Sequence, residues 1–355
     1  MQVMVLGGTQ FIGRAIVTAL LDDHEVTVLN RGSRPLWDPR IRQLVADRND
    51  APQLKELGLA AFDAVVDVSG TEPHHVTNVL AALPDPQELR YVFISSAAVY
   101  NRSVASPPFR EGDQADGDTI WGGYGEAKAE CEAVLRGACH TGLTVLRPPY
   151  VYGPHNPEPR EQFLWARFLA GQPVFVPGDG GTRIQFCHAQ ALAEVVAAAC
   201  AGQLGAGTFN VGEPASYTLR EYLAILGEVA GVRPTVVPAP DPTVRARDYF
   251  PFRDAELVLD VSRLATHVVV EHDDLAIGLA KTLTWFRENG GISDEPTPQE
   301  LAWRATTPDS LNYVHATLRN DEEELQNLYM RNLMLKAYRR ERDREQSETK
   351  PVEEM

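Results

Sequence analysis

The chain has 355 residues, of which 44% are hydrophobic and 23% charged, and its formal net charge is -16 at pH 7. A chain of this length and composition can bury one large or two modest cores. Its acidity argues against a nucleic-acid partner, because such partners are held largely by clustered Lys and Arg. We therefore expect a globular protein that acts on a small molecule.

The cysteines and the apolar segments indicate the compartment. The cysteines, at positions 131, 139, 187 and 200, show no CxxC spacing, so reduced and buried thiols are expected. No apolar run reaches the length of a membrane span. The first residues, MQVMVL, are typical of a strand that enters a glycine turn and not of a secretory signal. We expect a cytoplasmic protein without a membrane partner.

Short apolar runs alternate with amphipathic segments over residues 1–154. The predicted strands are QVMVLG, EVTVLNRG, RQLVADR, DAVVDVSG, RYVFISSAAVY and LTVLRPPYVYG, and the predicted helices cover about 13–22, 52–59, 74–83 and 124–139. This alternation is typical of parallel strands with crossover helices. It predicts an α/β Rossmann domain, a doubly wound parallel sheet that binds ligands at the carboxyl ends of its strands.

After Pro154 the alternation loosens into proline-rich loops and shorter helices. Residues 155–290 are predicted to form mainly a smaller, interleaved substrate lobe, while segments near 186–212 and 256–262 return to the Rossmann domain. Residues 291–355 are predicted to be a helical extension that ends in a disordered, charged tail. Leucines at near-heptad spacing over 318–335 favour a helix that packs on its own domain or, alternatively, a dimerisation helix. We expect a homodimer.

The stretch GGTQFIG follows the first strand and precedes a helix, the context in which a glycine pattern binds a dinucleotide. The first amides of that helix and its dipole favour an anion. Gln10 occupies the position where the middle glycine is usual, so its side chain must turn away from the phosphates. The predicted cofactor-binding residues here are Gly7, Gly8, Thr9, Gln10, Phe11, Ile12 and Gly13. An ordinary strand–helix turn is the alternative.

The end of the second predicted strand indicates which dinucleotide binds. An acidic residue there would bind the ribose hydroxyls of NAD, whereas an Arg accommodates the 2′-phosphate of NADP. The chain has Asn30, Arg31 and Arg34 and no carboxylate, which favours NADP, although exposed Arg residues are also ordinary. Asp47 is expected at the adenine edge or as a helix N-cap. The predicted cofactor set is completed by Ser69, Lys128 and Pro148.

Ser96 ends a predicted strand, and YGEAK places Tyr124 and Lys128 on one helix face. A phenol has an unperturbed pKa of about 10, so its use as a base near neutrality requires a nearby positive charge. Lys128 and an oxidised nicotinamide would supply that charge. Ser96 would hold a substrate oxygen while Tyr124 takes or returns its proton. A Tyr and a Lys at this spacing also arise by chance, so the order of all three motifs carries the prediction.

Together with Asp47–Arg48, FISSAAVY, LRPPYVYGP and VLDVSRL, these motifs resemble the extended short-chain dehydrogenase/reductase superfamily. The similarity is to its NAD-dependent epimerase/dehydratase group, which includes UDP-galactose 4-epimerase, and covers about residues 1–290. The resemblance implies a catalytic triad of Ser96, Tyr124 and Lys128. It also implies hydride transfer to a nicotinamide during remodelling of a nucleotide-linked sugar.

Some positions depart from that group. Enzymes that resemble dTDP-glucose 4,6-dehydratase have Asp and Glu after the catalytic Ser or Thr, where this chain has Ala97 and Ala98, so 4,6-dehydration is not expected. The Glu of related sugar-acid decarboxylases is also missing. Tyr150 stands where the epimerases have an Asn that holds the nucleotide sugar. The predicted substrate residues are Ser96, Tyr150 and Arg183, the last on a phosphate.

Other positions are open to more than one interpretation. Arg183 is alternatively a surface loop residue, Arg160 and Arg167 are further substrate candidates, and a structural role is expected for His188. No cluster of His, Cys and carboxylates has metal-ligand spacing, so no metal site is predicted.

Three functional hypotheses follow. The first is an NAD(P)-dependent epimerase or oxidoreductase that acts on an activated sugar or similar polyol. The second is an NADPH-dependent ketoreductase, which Arg31 and Arg34 favour. The third is a non-catalytic nucleotide-sensing or RNA-associated protein, because GGTQFIG and RPPYVYG are also similar to the chloroplast stem-loop-binding proteins. The net negative charge and the intact triad argue against an RNA partner.

Overall fold

The computed structural model of the chain describes residues 1–59, 62–87, 89–139, 141–270, 274–290 and 295–306. Its strands are β1 (Gln2–Leu6), β2 (Glu25–Asn30), β3 (Arg42–Val45), β4 (Ala64–Asp67), β5 (Arg90–Ile94), β6 (Leu143–Arg147), β7 (Tyr150–Tyr152), β8 (Val174–Val176), β9 (Arg183–His188), β10 (Gly207–Asn210), β11 (Ser216–Thr218) and β12 (Val236–Pro238). Its helices are α1 (Phe11–Leu20), α2 (Ala51–Glu56), α3 (Pro73–Ala82), α4 (Tyr124–Ala138), α5 (Glu161–Leu169), α6 (Ala189–Cys200), α7 (Leu219–Ala230), α8 (Ser262–Ala265), α9 (Leu275–Asn289) and α10 (Pro298–Thr306).

Seven parallel strands form the large sheet, in the order β10-β6-β5-β4-β1-β2-β3. The strand order reverses at β1, which lies between β4 and β2. In such a sheet ligands bind at the carboxyl ends of the strands next to this switch point. The predicted doubly wound Rossmann fold is confirmed.

The side chains of β1 alternate between the two faces of the large sheet, as the period of a strand requires. Val3 and Val5 pack with the apolar sides of α1 and α6. Met4 and Leu6 pack with residues of α2, α3 and α4 on the opposite face. Helices therefore cover both faces, which explains why the strands are continuous apolar runs.

A second lobe is built around a three-stranded sheet (β11-β9-β7) and a two-stranded sheet (β12-β8). Its core is rich in aromatic side chains, such as the stacked rings of Phe186 and Tyr222 at 4.4 Å. Residues 207–210 lie in the large sheet as β10. Leu257 and Leu259 instead form isolated bridges to Ile184 and Phe109. None of the described helices is long and apolar enough to cross a membrane, and all four cysteines are buried and unpaired.

Helix α10 packs on the second lobe through a buried ion pair. The Arg167 guanidinium donates two hydrogen bonds of 2.7 Å to the Glu300 carboxylate, and the side chains are 1% and 0% exposed. Trp303 packs beside them against Phe175 and Tyr249, with ring centroids at 5.1 Å and 4.7 Å. Part of the predicted extension thus belongs to the second lobe. The predicted helix over 318–335 and the charged tail lie outside the described residues.

We expect Glu300→Ala to lower the free energy of unfolding by about 3 kcal/mol, because it leaves the buried Arg167 cation without its carboxylate. Chemical denaturation would measure this change. The matched control is Leu301→Ala on the same helix, where a side chain that is 54% exposed predicts a change within ~0.5 kcal/mol. Equal effects of the two substitutions would contradict the structural role of the pair.

Candidate active site

The glycine turn between β1 and α1 is held by close backbone contacts. A Cβ added to Gly13 would lie 2.1 Å from the carbonyl oxygen of Gly7, and Gly7 itself has φ of +87°. A Cβ on Gly7 would also lie 2.6 Å from Cβ of Ser69 at the end of β4. No side chain fits at Gly13, and at Gly7 the conformation also favours glycine.

The N-terminus of α1 faces the carboxyl edge of the sheet with its amides available. Gln10 is the N-cap residue, with extended backbone, and its side chain makes no capping hydrogen bond. The first N–H groups of a helix have no partner within it, so those of α1 suit an anion. Thr9 and Gln10 line one cavity, whereas Phe11 and Ile12 line another. The turn therefore separates two cavities, called here the outer and the inner cavity.

The outer cavity has a volume of about 460 Å³ and a positively charged wall. Arg14 and Arg34 line it together with His155, and none of its described lining residues is acidic. The guanidinium of Arg14 lies 4.0 Å from the ring centre of Trp37. Burial and the charge of Arg14 lower the pKa of His155. Arg31 is exposed and is not among the lining residues.

Two predicted cofactor-binding residues lie near the ends of β2 and β3: Asn30 ends β2, and Asp47 follows β3. The Asn30 amide accepts hydrogen bonds from Gly32 N at 2.7 Å and Gln43 Nε2 at 3.0 Å, while its buried Nδ2 has no partner among the described residues. Asp47 accepts from the backbone N–H of Asn49 at 2.9 Å. The N-cap of α2 is Asp50, so the N-cap alternative considered for Asp47 does not apply.

The inner cavity, of about 500 Å³, brings the predicted chemical groups together. Ser96, Tyr124, Lys128, Pro148 and Tyr150 all line it. Ser96 follows β5, and its Oγ accepts from the N–H of Ala98 at 3.1 Å. The carbonyl of Pro148 accepts from the N–H of Ala97 at 2.8 Å, which ties the segment after β6 to the segment that carries Ser96.

Tyr124 begins α4 after two left-handed glycines, Gly122 and Gly123, with φ of 62° and 83°. Burial raises the pKa of the Tyr124 phenol, whereas a hydrogen bond with Ser96 and the charge of Arg160 lower it. The residue as a whole is 43% exposed, because one side of it faces the open cavity. The cation that acts on the phenol thus comes from the second lobe.

Lys128 lies one turn further along α4 and is 2% exposed. Its Nζ donates to the backbone carbonyls of Gly70 and Ile94, both at 2.6 Å. Burial lowers the pKa of this ammonium to about 8. An ammonium has three N–H donors, so these bonds leave one for a bound ligand. The sequence predicts that the Lys128 charge acts on Tyr124. The structure adds two partners that the sequence does not indicate, the carbonyl of Ile94 at the end of β5 and that of Gly70 after β4.

Three arginines from the second lobe converge on the inner cavity: Arg160, Arg247 and Arg253. Two stand over its aromatic walls, Arg160 at 5.2 Å from the ring centre of Tyr150 and Arg253 at 5.0 Å from that of Trp121. Burial and repulsion by Arg160 and Arg253 lower the pKa of Arg247. Glu158 is the one acid among the described lining residues, so the cavity is cationic in a strongly acidic protein.

Sequence analysis missed Arg247 and Arg253. They lie in the loop between β12 and α8, and no motif marks them. The available signal was the local concentration of arginines in RARDYFPFRD, within a chain that is acidic overall.

Of the other candidate substrate residues, Tyr150 lines the inner cavity, whereas Arg183 and His188 do not. The Tyr150 hydroxyl is buried near the backbone of Arg253, yet it makes no hydrogen bond of normal geometry to a described residue. Arg183 does not line the inner cavity, because its guanidinium donates to the Ser216 carbonyl at 2.7 Å. His188 caps α6 by accepting from Gln190 N.

Residues 3–212 match the model of the NAD dependent epimerase/dehydratase family. This region is more than half of the chain, and the chain belongs to that family, within the extended short-chain dehydrogenase/reductase superfamily. The resemblance found in the sequence is confirmed.

One curated protein is similar to part of the chain. The chloroplast stem-loop binding protein of 41 kDa b of Arabidopsis thaliana is 33% identical over 208 residues, 54% of this chain and 53% of that protein. The match thus spans about half of the relative's length.

Two solved structures share the fold. A UDP-glucose 4-epimerase from Thermotoga maritima, with UDP-glucose, has a TM-score of 0.65 and 20% identity over 81% of this chain and 99% of its own. WbmH of Bordetella bronchiseptica, in complex with NAD+, has a TM-score of 0.66 and 19% identity over 82% and 99%.

We expect Gly13→Val to abolish binding of NAD and NADP, because the new side chain would overlap the Gly7 carbonyl and separate α1 from β1. Gln10→Gly should retain binding, since the Gln10 side chain makes no capping bond. Calorimetric titration with both dinucleotides would measure the affinities, and circular dichroism would check folding. Unchanged affinity in Gly13→Val would contradict the assignment of the turn.

Proposed function

We propose that the protein is an NAD(P)-dependent epimerase or oxidoreductase that acts on a nucleotide-activated sugar or a similar polyol. The observation that carries the proposal is one cavity in which the α1 turn, the Ser96–Tyr124 pair and three arginines meet. Family membership supports the nicotinamide cofactor.

The described residues fit a dinucleotide. The uncapped amides of α1 suit its pyrophosphate, and glycines at positions 7 and 13 allow close approach of the backbone. The buried Nδ2 of Asn30, at the end of β2, has no partner among the described residues, and a ribose is usually held at this position. We assign the third N–H of Lys128 to the same cofactor. When bound, the cofactor supplies a nicotinamide ring that accepts a hydride and returns it, to the opposite face of the substrate carbon for epimerisation.

Side chains of the protein transfer the substrate proton. Ser96 holds the substrate hydroxyl, and Tyr124 in its phenolate form takes the proton as the carbon loses a hydride and a carbonyl forms. The reverse step returns the proton from Tyr124 to the same oxygen. Arg160 favours the phenolate, whereas burial opposes it. The Ser96 hydroxyl is oriented by a hydrogen bond that it accepts from the N–H of Ala98.

The cationic walls of the inner cavity support an anionic substrate. Guanidinium groups bind phosphate oxygens through paired N–H donors, and Arg160, Arg247 and Arg253 offer several such pairs. Trp121 and Tyr150 add flat aromatic surfaces. A nucleoside diphosphate attached to a sugar combines two negative charges with an aromatic base, which suits these walls.

NADP is the cofactor that the outer cavity favours. Arg34 lies there beside Thr9 of the turn, and no described acid lines the cavity. This observation also supports the second candidate, an NADPH-dependent ketoreductase. An epimerase regenerates its cofactor and often retains it through purification, while a reductase consumes NADPH in proportion to product. Cofactor content and stoichiometry distinguish the two.

We expect Tyr124→Phe to reduce turnover at least about 100-fold, because the variant cannot take or return the substrate proton. Cofactor affinity should stay the same. The assay would follow nicotinamide absorbance with candidate UDP-sugars and ketones. Tyr217→Phe, in β11 outside the inner cavity, is the matched control and should retain activity. Full activity in Tyr124→Phe would overturn the proposed chemistry.

Arg34→Ala should weaken NADP binding about tenfold, equal to ~1.4 kcal/mol, and leave NAD binding unchanged, because only NADP carries the 2′-phosphate. Calorimetry with each dinucleotide measures this difference. Arg40→Ala is the control, since that exposed side chain pairs with Asp22 and Asp38. Equal losses for NAD and NADP in Arg34→Ala would contradict the NADP preference.

A further inference from the structure

A buried carboxylate, Asp67, lies at the end of β4 below the glycine turn and has no place in the chemistry described above. It is fully buried. Arg48, which follows β3, donates to both of its oxygens at 2.8 Å. The backbone N–H groups of Ser69 and Gly70 donate to Oδ1 at 3.1 Å and 2.9 Å, and Tyr91 Oη donates to Oδ2 at 2.9 Å.

These contacts fix the direction of the chain after β4. Two consecutive amides, at Ser69 and Gly70, turn toward one carboxylate oxygen. Arg48 reinforces the turn, because it also donates to Ser69 Oγ at 2.8 Å. The space is filled, since a Cβ on Gly70 would lie 2.8 Å from Oδ2 of Asp67. The carboxylate therefore fixes the Ser69–Gly70 peptide group, and the Gly70 carbonyl begins the next peptide group along the chain.

The same glycine holds the lysine of the candidate site. Its N–H is bound by Asp67, while its carbonyl accepts from Lys128 Nζ at 2.6 Å. One residue thus connects a buried anion on β4 to a buried cation on α4. The ammonium also lies over the ring of Phe93, 4.5 Å from its centre, so it has little freedom to move.

The charges around Lys128 come from several elements. Burial of the ammonium lowers the pKa of Lys128. Of the neighbouring charges that raise this pKa, Asp67 has the largest effect. Cys131 and Glu132 on α4 act in the same direction, while Arg48 lowers the pKa. Glu132 is itself bound to Arg147 at 2.6 Å and to Ser95, which leaves Asp67 as the carboxylate that reaches Lys128 through a shared residue.

We propose that Asp67 is a positioning residue for Lys128, which it holds in place through Gly70 and keeps in the ammonium form. Arg48 and Tyr91 in turn hold Asp67. The catalytic consequence rests on the proposed function, whereas the effect on Lys128 itself does not. A purely structural ion pair would stabilise the fold without changing the titration of Lys128.

The test is the titration of Lys128 by NMR in the full-length protein labelled with 13C at the lysine ε-carbon. The chain has 5 lysines, so the spectrum is simple, and loss of one signal in Lys128→Met assigns it. In the unaltered protein the midpoint is expected at about 8. Asp67→Asn should lower it by about one unit, because an opposing charge is removed.

The double variant Asp67→Asn with Arg48→Met provides a second test should Asp67→Asn fail to fold, because it leaves neither buried charge without its partner. The midpoint should still fall, since the effect of Asp67 on the pKa of Lys128 is larger than the opposing effect of Arg48. Asp63→Asn, at the other end of β4, is the matched control and should leave the midpoint unchanged. An unaltered Lys128 midpoint in either folded variant, the single Asp67→Asn or the double variant, would overturn the proposal.

The pH dependence of turnover separates this proposal from the proposed function. If protonated Lys128 is required, the alkaline fall in activity follows the NMR midpoint, moving to lower pH in Asp67→Asn. A midpoint that moves without any change in the activity profile supports the role of Asp67 and overturns that of Lys128 in turnover.

Discussion

The contact between Gly13 and the Gly7 carbonyl determines where the rest of the site can form. Because no side chain separates them, α1 starts directly after the carboxyl end of β1, and Gly7 lies against Ser69, which follows β4. An anion bound at that helix end would lie between the outer and inner cavities, since residues 9 and 10 line one cavity and residues 11 and 12 the other. The position of each proposed cofactor contact follows from this packing, including those of residues distant in sequence.

The second lobe adds charge to a site that the Rossmann domain shapes. Arg160 follows β7, whereas Arg247 and Arg253 come from a loop after β12. Their convergence is unfavourable by itself, since like charges repel. Burial, and then repulsion by Arg160 and Arg253, lower the pKa of Arg247. Such an arrangement is stable when an anion binds between the cations. The repulsion is therefore an argument for the substrate class that we propose.

The sequence predicts the large sheet well because buried parallel strands are short apolar runs with glycine turns at their ends. Ser96, Tyr124 and Lys128 could also be found, since their order and spacing carry chemistry. Contacts between residues that are distant in the sequence could not be predicted. No local pattern indicates that Arg247 reaches the inner cavity or that Arg183 turns away from it. Nor does one indicate that the backbone carbonyls of Gly70 and Ile94 bind the Lys128 ammonium.

A crystal structure of the protein with NADP bound would test the proposed cofactor site most directly. We expect the pyrophosphate on the amides of residues 11–13, the 2′-phosphate beside Arg34, and the nicotinamide in the inner cavity within reach of Tyr124 and Lys128. A dinucleotide bound elsewhere, or one whose nicotinamide lies away from Tyr124, would contradict the proposed site.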